Sequence, residues 1–237
     1  MELAAVDEIH IGGLSATLAF GRTLRFGAGS RVIDLGCGIG GPARIFAEAL
    51  SISVIGVDLV EEYVAAAREL SGLVGLASSC SFVRADISSL PFEAATFDGA
   101  YMMALGMNVA DKLTLFREAR RVLKPGARFG VCDPVTIGEG AVPYPLPWAG
   151  SADTSYLEPL STSCTLMEAA GFAIEKVVER GALARRFFAQ SRDAAGATPQ
   201  LDLSALFGEQ TDERVANISS AVEAGIIAPV EIVARAQ

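Results

Sequence analysis

Short apolar runs alternate with segments of helical periodicity along most of the chain. "RVIDL" is a five-residue apolar run of the kind buried in a parallel sheet, and "GPARIFAEAL" follows it with the spacing of a helix. Pro42 is tolerated there because the first helical turn has no internal partner for its missing N–H. "ISVIGVD" is a second strand. "EEYVAAAREL" is a helix with Glu61 and Glu62 at its positive end. "CSFVRAD" and "TFDGAYMM" are a third and a fourth strand. "DKLTLFREARRVL" predicts a helix stopped at "KPG", and "ARFGVCD" is a fifth strand. Alternation of this kind implies right-handed crossovers and a parallel sheet with helices on both faces.

The pattern changes at Pro134. The stretch to Pro159 is rich in proline and glycine and too long for an ordinary connection, which points to a lid or binding loop. "STSCTLMEAAGF" predicts a helix with Ser/Thr caps in front and Gly171 behind. "FAIEKVVE" and "IIAPVEIVARA" are two further strands that complete a seven-stranded sheet, with helical material between them. "IGGLSATLAFGRTLRF" predicts a helix ahead of the first strand. One domain is expected over 1–237, in four parts. An N-terminal cap covers 1–29, a core 30–133, a lid 134–160 and the rest of the sheet 161–237.

Composition narrows the function. The 237 residues are 51% apolar and carry a net charge of −9, so a compact fold is expected and a phosphate backbone would be repelled. Nucleic acid is an unpromising partner. Arg117, Arg120, Arg121, Lys124 and Arg128 form a basic cluster that reads as the solvated face and C-terminal end of a helix. Cys37, Cys80, Cys132 and Cys164 are scattered without a C-x-x-C pair, and there is a single histidine, His10. Neither a zinc site nor a disulfide framework is expected. The start lacks the basic and apolar regions of a signal peptide, and no apolar run reaches membrane-spanning length. A cytoplasmic protein with no membrane association, monomeric or homodimeric, is the expectation.

The glycine-rich stretch "VIDLGCGIGG" raises the question of cofactor. Gly36, Gly38 and Gly41 satisfy a dinucleotide fingerprint, while Gly36, Gly38 and Gly40 satisfy a tighter one. Ligands of open parallel sheets bind at the C-terminal strand ends, and three acids fall there. Asp58, about twenty residues after the first glycines, suits the vicinal hydroxyls of a ribose, which NAD and S-adenosylmethionine (SAM) share. Asp86 followed by Ile87 suits an adenine amino group beside a flat apolar wall. Asp34 places negative charge where a dinucleotide would bring its pyrophosphate, and favours a sulfonium and an ammonium instead.

"VIDLGCGIGGPARIFA", "VIGVDLVEEYVAAARE", "FVRADISSLPFEAATFDGAY" and "LFREARRVLKPGARFGV" together resemble class I SAM-dependent methyltransferases over roughly residues 30–133. The flanks "DEIHIGGLSAT", "GMNVADK" and "PYPLPWAGSADTSYLEP" are similar to bacterial small-molecule enzymes of the sarcosine/dimethylglycine and quinone types. The resemblance implies a Rossmann-like α/β fold with a mostly parallel seven-stranded sheet. It implies a cofactor site of Asp34, Gly36, Cys37, Gly38, Gly40, Asp58, Leu59, Asp86, Ile87 and Met103, and S-adenosylhomocysteine (SAH) as product. No Asn/Asp-Pro-Pro-Tyr/Phe loop follows strand four, so DNA bases and glutamine side chains are poor acceptors.

Many relatives have a histidine after strand four, where this chain has Ala104 or a neighbour. His10 is then the imidazole left, either as catalytic proton acceptor or as a pin for the N-terminal segment. Trp148 could wall the substrate pocket or anchor the lid. Met107, Asn108 and Tyr144 are substrate-side candidates, while Met102 and Met103 also suit a core strand end. Methyl transfer needs chiefly a collinear, dry arrangement and no metal. Two rivals stand beside it: a SAM-bound cyclase or binding protein on the same fold, and a nicotinamide-dependent oxidoreductase.

Overall fold

The computed structural model describes Asp7, residues 10–193 and residues 210–237. The rest of the expected cap and residues 194–209 of the C-terminal part lie outside the described residues. In chain order the elements are α1 (Gly13–Leu24), β1 (Arg31–Leu35), α2 (Gly41–Leu50), β2 (Ser53–Asp58), α3 (Glu61–Leu73), β3 (Cys80–Arg84) and β4 (Phe97–Met103). Then come α4 (Lys112–Val122), β5 (Leu123–Thr136), α5 (Leu160–Ala169), β6 (Phe172–Glu179), α6 (Gly181–Asp193), α7 (Thr211–Glu223) and β7 (Ile227–Ala236).

The seven strands form one sheet in the order β3-β2-β1-β4-β5-β7-β6. Pairing is parallel from β3 to β5, and β7 runs antiparallel to both β5 and β6. β1 lies between β2 and β4, so Asp34 stands beside Gly56 on one side and Tyr101 on the other. This is where the strand order reverses, and a crevice opens at such a point.

Each face of the sheet carries its own apolar layer. One joins Ile33, Met102 and Phe129 to Phe116 of α4 and Met167 of α5. The other joins Val32, Val54 and Tyr101 to Phe20 of α1, Phe46 of α2 and Val64 of α3. A third, smaller cluster lies apart, where Leu146 of the lid packs with Phe188 of α6 and Ile218 and Val222 of α7. The lid therefore has a core of its own, built largely by the C-terminal helices.

Two local details differ from the pattern-based expectation. β5 begins at Leu123, which pairs with Phe97, so "KPG" sits inside a strand with a register shift rather than ahead of it. Pro159 caps α5 and the helix takes in Ser161 and Thr162, because the preceding residues are already paired along β5 through the Thr136–Pro159 bridge.

α1 packs closely because the sheet offers it glycine. A Cβ on Gly130 would lie 2.1 Å from Leu24 Cδ2 and 2.8 Å from Phe20 Cζ. Both neighbours are completely buried and cannot retreat. Gly130→Ala should lower the urea midpoint by an amount worth about 1–3 kcal/mol, the usual cost of overpacking a core. An unchanged midpoint would show that α1 can slide on the sheet.

Candidate active site

The turn from β1 into α2 is a left-handed glycine loop: Gly36, Gly38 and Gly40 have φ of 72°, 51° and 81°. The amides of Gly36 and Cys37 both donate to the Val57 carbonyl at the end of β2, at 2.8 and 3.0 Å. Two of the glycines are also closely covered. A Cβ on Gly36 would lie 2.6 Å from Leu105 Cδ1, and one on Gly40 2.7 Å from Phe82. Gly38 differs, since nothing lies within 4 Å of its Cβ position. Its backbone is bare and faces open space, which is what close approach by a ligand requires.

Asp58 stands beside that opening. Its Oδ2 accepts the Gly38 N–H at 2.9 Å and its Oδ1 accepts the Val60 N–H at 3.0 Å. A carboxylate has about four acceptor positions, so each oxygen keeps one free for a vicinal hydroxyl. The next residue, Leu59, is 63% exposed, an apolar surface without a protein cover. Asp86 is exposed and held by Ser88, whose amide and hydroxyl donate to Oδ1 at 2.8 and 2.7 Å. Those bonds keep its carboxyl below the usual range. Ile87 behind it is half-buried against the main core.

Asp34 is buried, at 2% exposure, and accepts the Tyr101 hydroxyl at 3.0 Å. Burial, with a smaller push from Asp58, raises its carboxyl to about 7 against the opposing pull of Tyr101. A cation brought to this place would restore the charged form. Cys37 points its thiol inward against Gly56, and burial pushes that thiol far up. Met103 is buried in the α1–α3 layer. For Cys37 and Met103 the side chains are therefore core, and only the backbone at these positions is left for a ligand.

The acceptor-side candidates are spread over three elements. Met107 is buried and Asn108 exposed in a short 3-10 turn, Gly106–Asn108, after β4. Tyr144 and Trp148 pack into the lid cluster, and the indole N–H donates to Ser155 Oγ at 3.1 Å. The two nitrogens of His10 lie 2.9 Å from Thr17 Oγ1 and 3.2 Å from the Ile11 carbonyl. These contacts tie it to the start of α1.

Sequence reasoning overlooked several groups. Arg44 of α2 is buried and ion-paired with buried Asp7, while its Nη1 donates to the Ile39 carbonyl in the glycine loop at 2.8 Å. The Asp7 carbonyl lies 2.3 Å from where a Gly41 Cβ would be. Asp7 thus lies against the start of α2, and the absence of a side chain at Gly41 is needed for that approach. Asp133, at the end of β5, accepts the amides of Leu105 at 2.8 Å and Gly106 at 2.9 Å. An acid at a fourth strand end was visible in "VCDPV", by the same reasoning that found the other three. The basic cluster is absorbed by structure: Arg121 pairs with Glu118, Lys124 with Asp98 and Arg128 with Glu175. Among the described residues no group of three or more acids, cysteines or histidines is placed to hold a metal.

Comparison with known proteins agrees with this geometry. Residues 33–131 match a family model described as a methyltransferase domain. Over residues 33–131 the chain carries a methyltransferase domain.

"Methyltransferase phqN" of Penicillium fellutanum is 40% identical over 107 residues, 45% of this chain and 33% of that protein. The matched stretch thus spans about a third of that relative's length. Among solved structures, the [4+2]-cyclase SpnF superposes with a TM-score of 0.76 at 25% identity, covering 94% of this chain and 80% of that one. A putative sarcosine dimethylglycine methyltransferase from Galdieria sulphuraria gives 0.71 at 17% identity, covering 94% and 82%. The latter likeness is one of fold.

Two outcomes are expected from the acids of this methyltransferase domain. Asp58→Ala strips the acceptor from two loop amides and from the ribose, and should weaken SAH binding in calorimetry by about 1.5–3 kcal/mol. An unchanged dissociation constant would mean that Asp58 does not hold the ribose. Asp34 titrates higher in the fold than its ordinary 3.8, so the folded state holds an extra proton between those values and stability falls as pH rises from about 4 to 7. Asp34→Asn should flatten that slope and leave thermal stability at pH 8 equal to or above that of the unaltered protein, since an amide oxygen still accepts from Tyr101. A steeper slope in the variant would count against the buried ionisation.

Proposed function

We propose that the chain moves a methyl group from SAM to a small-molecule acceptor, at nitrogen, oxygen or carbon, by in-line displacement, with SAH as product. The observation that carries this reading is the pairing of Asp58 with bare Gly38 at the switch point of the sheet. One carboxylate both shapes the loop and keeps two acceptor positions for a diol. Buried Asp34 nearby favours a cationic ligand over a pyrophosphate, which sets the nicotinamide reading aside.

SAM supplies an already activated methyl on a sulfonium. The chain's own task is to hold the donor with the glycine loop, Asp58, Asp86 and the apolar surfaces of Leu59 and Ile87. Met107, Asn108, Tyr144 and Trp148 are assigned to the acceptor, and the exposed ring of Tyr156 joins them from the lid. This aromatic and apolar set favours an acceptor with an apolar body and serves to keep water out. His10 is assigned the acceptor side as proton acceptor. It must first release Thr17, and the same bond supports the alternative in which His10 pins the N-terminal segment.

We read the whole chain as one domain, 1–237, with cap, core, lid and sheet-completing parts divided at residues 30, 134 and 161. It acts as a monomer or homodimer in the cytoplasm, without nucleic acid or membrane partners. Among the described residues no helix is long and apolar enough to cross a membrane.

A second reading is favoured by one observation. The cyclase SpnF resembles this chain over 94% of its length, and Ala104 stands near where many methyltransferases have a histidine. On that reading SAM is bound and keeps its methyl. A panel of small amines, phenols and carboxylates incubated with methyl-labelled SAM, read by mass spectrometry, decides between them. Label in a product together with accumulating SAH is the expected result. Product formed with intact SAM would favour cyclisation, and tighter binding of NAD(H) than of SAH would overturn both.

A further inference from the structure

Asp133 is a buried acid at the ligand edge of the sheet that the cofactor site does not use. We infer that Asp133 is a positioning residue of the methyl-transfer site: its carboxylate seats the 104–108 turn between the glycine loop and the lid. The inference rests on the function proposed above.

Asp133 is 6% exposed at the ligand edge of β5, and each of its oxygens accepts one amide, from Leu105 and from Gly106. The turn so held is strained. Ala104 has φ of 52°, a conformation that residues with a Cβ seldom adopt and that persists only where the surroundings impose it. Ala104 N–H is tied to the Cys132 carbonyl at 2.9 Å, next to Asp133 in the chain. Gly106 has no room for a side chain, since a Cβ would lie 2.4 Å from Asp133 Oδ2.

The turn reaches both halves of the site. On the donor side, the Leu105 side chain covers Gly36. On the acceptor side, the Met107 carbonyl accepts the Tyr156 N–H at 2.9 Å. Lys112 reinforces that side: it is 6% exposed, and its Nζ donates to Val109 O at 3.0 Å and to Tyr156 O at 2.6 Å. The Thr136 N–H donates to the Glu158 carbonyl at 3.0 Å and fastens the same lid segment to β5. A single carboxylate therefore anchors a turn that touches both the glycine loop and the lid. The spacing between methyl donor and acceptor depends on that anchor.

Titration gives an independent handle. Burial raises Asp133 to about 6, against the pull of the Leu105 and Gly106 amides and of Lys112. The small cavity that Asp133 lines is also lined by Lys112 from α4, Tyr156 and Glu158 from the lid, Ser163 from α5, and Val230 and Ile232 from β7. Lys112 is the cation of this set, and it is ion-paired with Glu158 at 3.6 Å. Below about pH 6 the buried carboxyl gains a proton, which the closed turn holds more tightly than an opened, hydrated one would.

The test compares the full chain with Asp133→Asn by amide hydrogen exchange and by SAH calorimetry. Asparagine keeps one acceptor and points an NH2 at the other amide. Exchange over residues 104–109 and 155–158 should quicken tenfold or more, and SAH binding should weaken three- to tenfold. Exchange in β1 and β4 should stay as in the unaltered protein. Moving the unaltered protein from pH 7.5 to 5, with intrinsic rates corrected, should slow exchange in the same two segments, because a carboxyl raised by burial holds its proton more tightly in the closed turn than in an opened, hydrated one, and this needs no variant to fold. Unchanged exchange in both segments overturns the inference, as does loosening spread evenly through β1 and β4, which would make Asp133 a residue of the fold alone. Should SAH fail to bind the unaltered protein, the methyl-transfer reading falls, while the exchange data still judge whether Asp133 holds the turn.

Discussion

The amides of Gly36 and Cys37 converge on the carbonyl of Val57, and the rest of the site follows from that junction. It docks the loop leaving β1 onto the end of β2. Asp58 is the next residue after Val57, so its carboxylate arrives beneath Gly38 and bonds to it. Positive φ at three glycines lets the loop turn there and start α2 at once. The parallel register of β1 with both β2 and β4 then brings Asp34 and Tyr101 side by side under the same loop.

Electrostatics makes this arrangement a poor one for stability by itself. Asp34 and Asp133 are both buried, and burial raises both, to about 7 and about 6. A carboxylate kept out of water costs free energy unless it is fully bonded. Asp133 is bonded by two amides and is given a structural task. Asp34 accepts the Tyr101 hydroxyl and lies at the switch point of the sheet. The unfavourable charge sits at the ligand edge, where a bound sulfonium or ammonium would relieve it.

The lid is less independent than its loop-like composition suggests. Its segment from Tyr156 to Pro159 is bonded to β5 and to the turn after β4, and its outer part packs on α6 and α7. Arg44 links the N-terminal segment to the glycine loop through a buried ion pair with Asp7. The glycine loop, Asp7 and the lid are thus held through a few buried polar contacts, the Asp7–Arg44 ion pair and several bonds to backbone groups.

The order of strands and helices, the parallel core and the three acids Asp34, Asp58 and Asp86 were legible in the sequence. They depend on local periodicity and on the position of an acid at the end of an apolar run, and both are properties of a few neighbouring residues. The antiparallel place of β7 between β5 and β6, the depth of Asp34 beside Tyr101, and the inward turn of Cys37 were decided by tertiary structure. So were the pairing of Asp7 with Arg44, 37 residues apart, and the grip of Asp133 on Leu105 and Gly106. Such contacts join groups far apart in the chain, and no local pattern records them. An acid's sequence position says that it reaches the ligand edge. Whether it faces solvent, cofactor or backbone amides depends on what the sheet sets beside it.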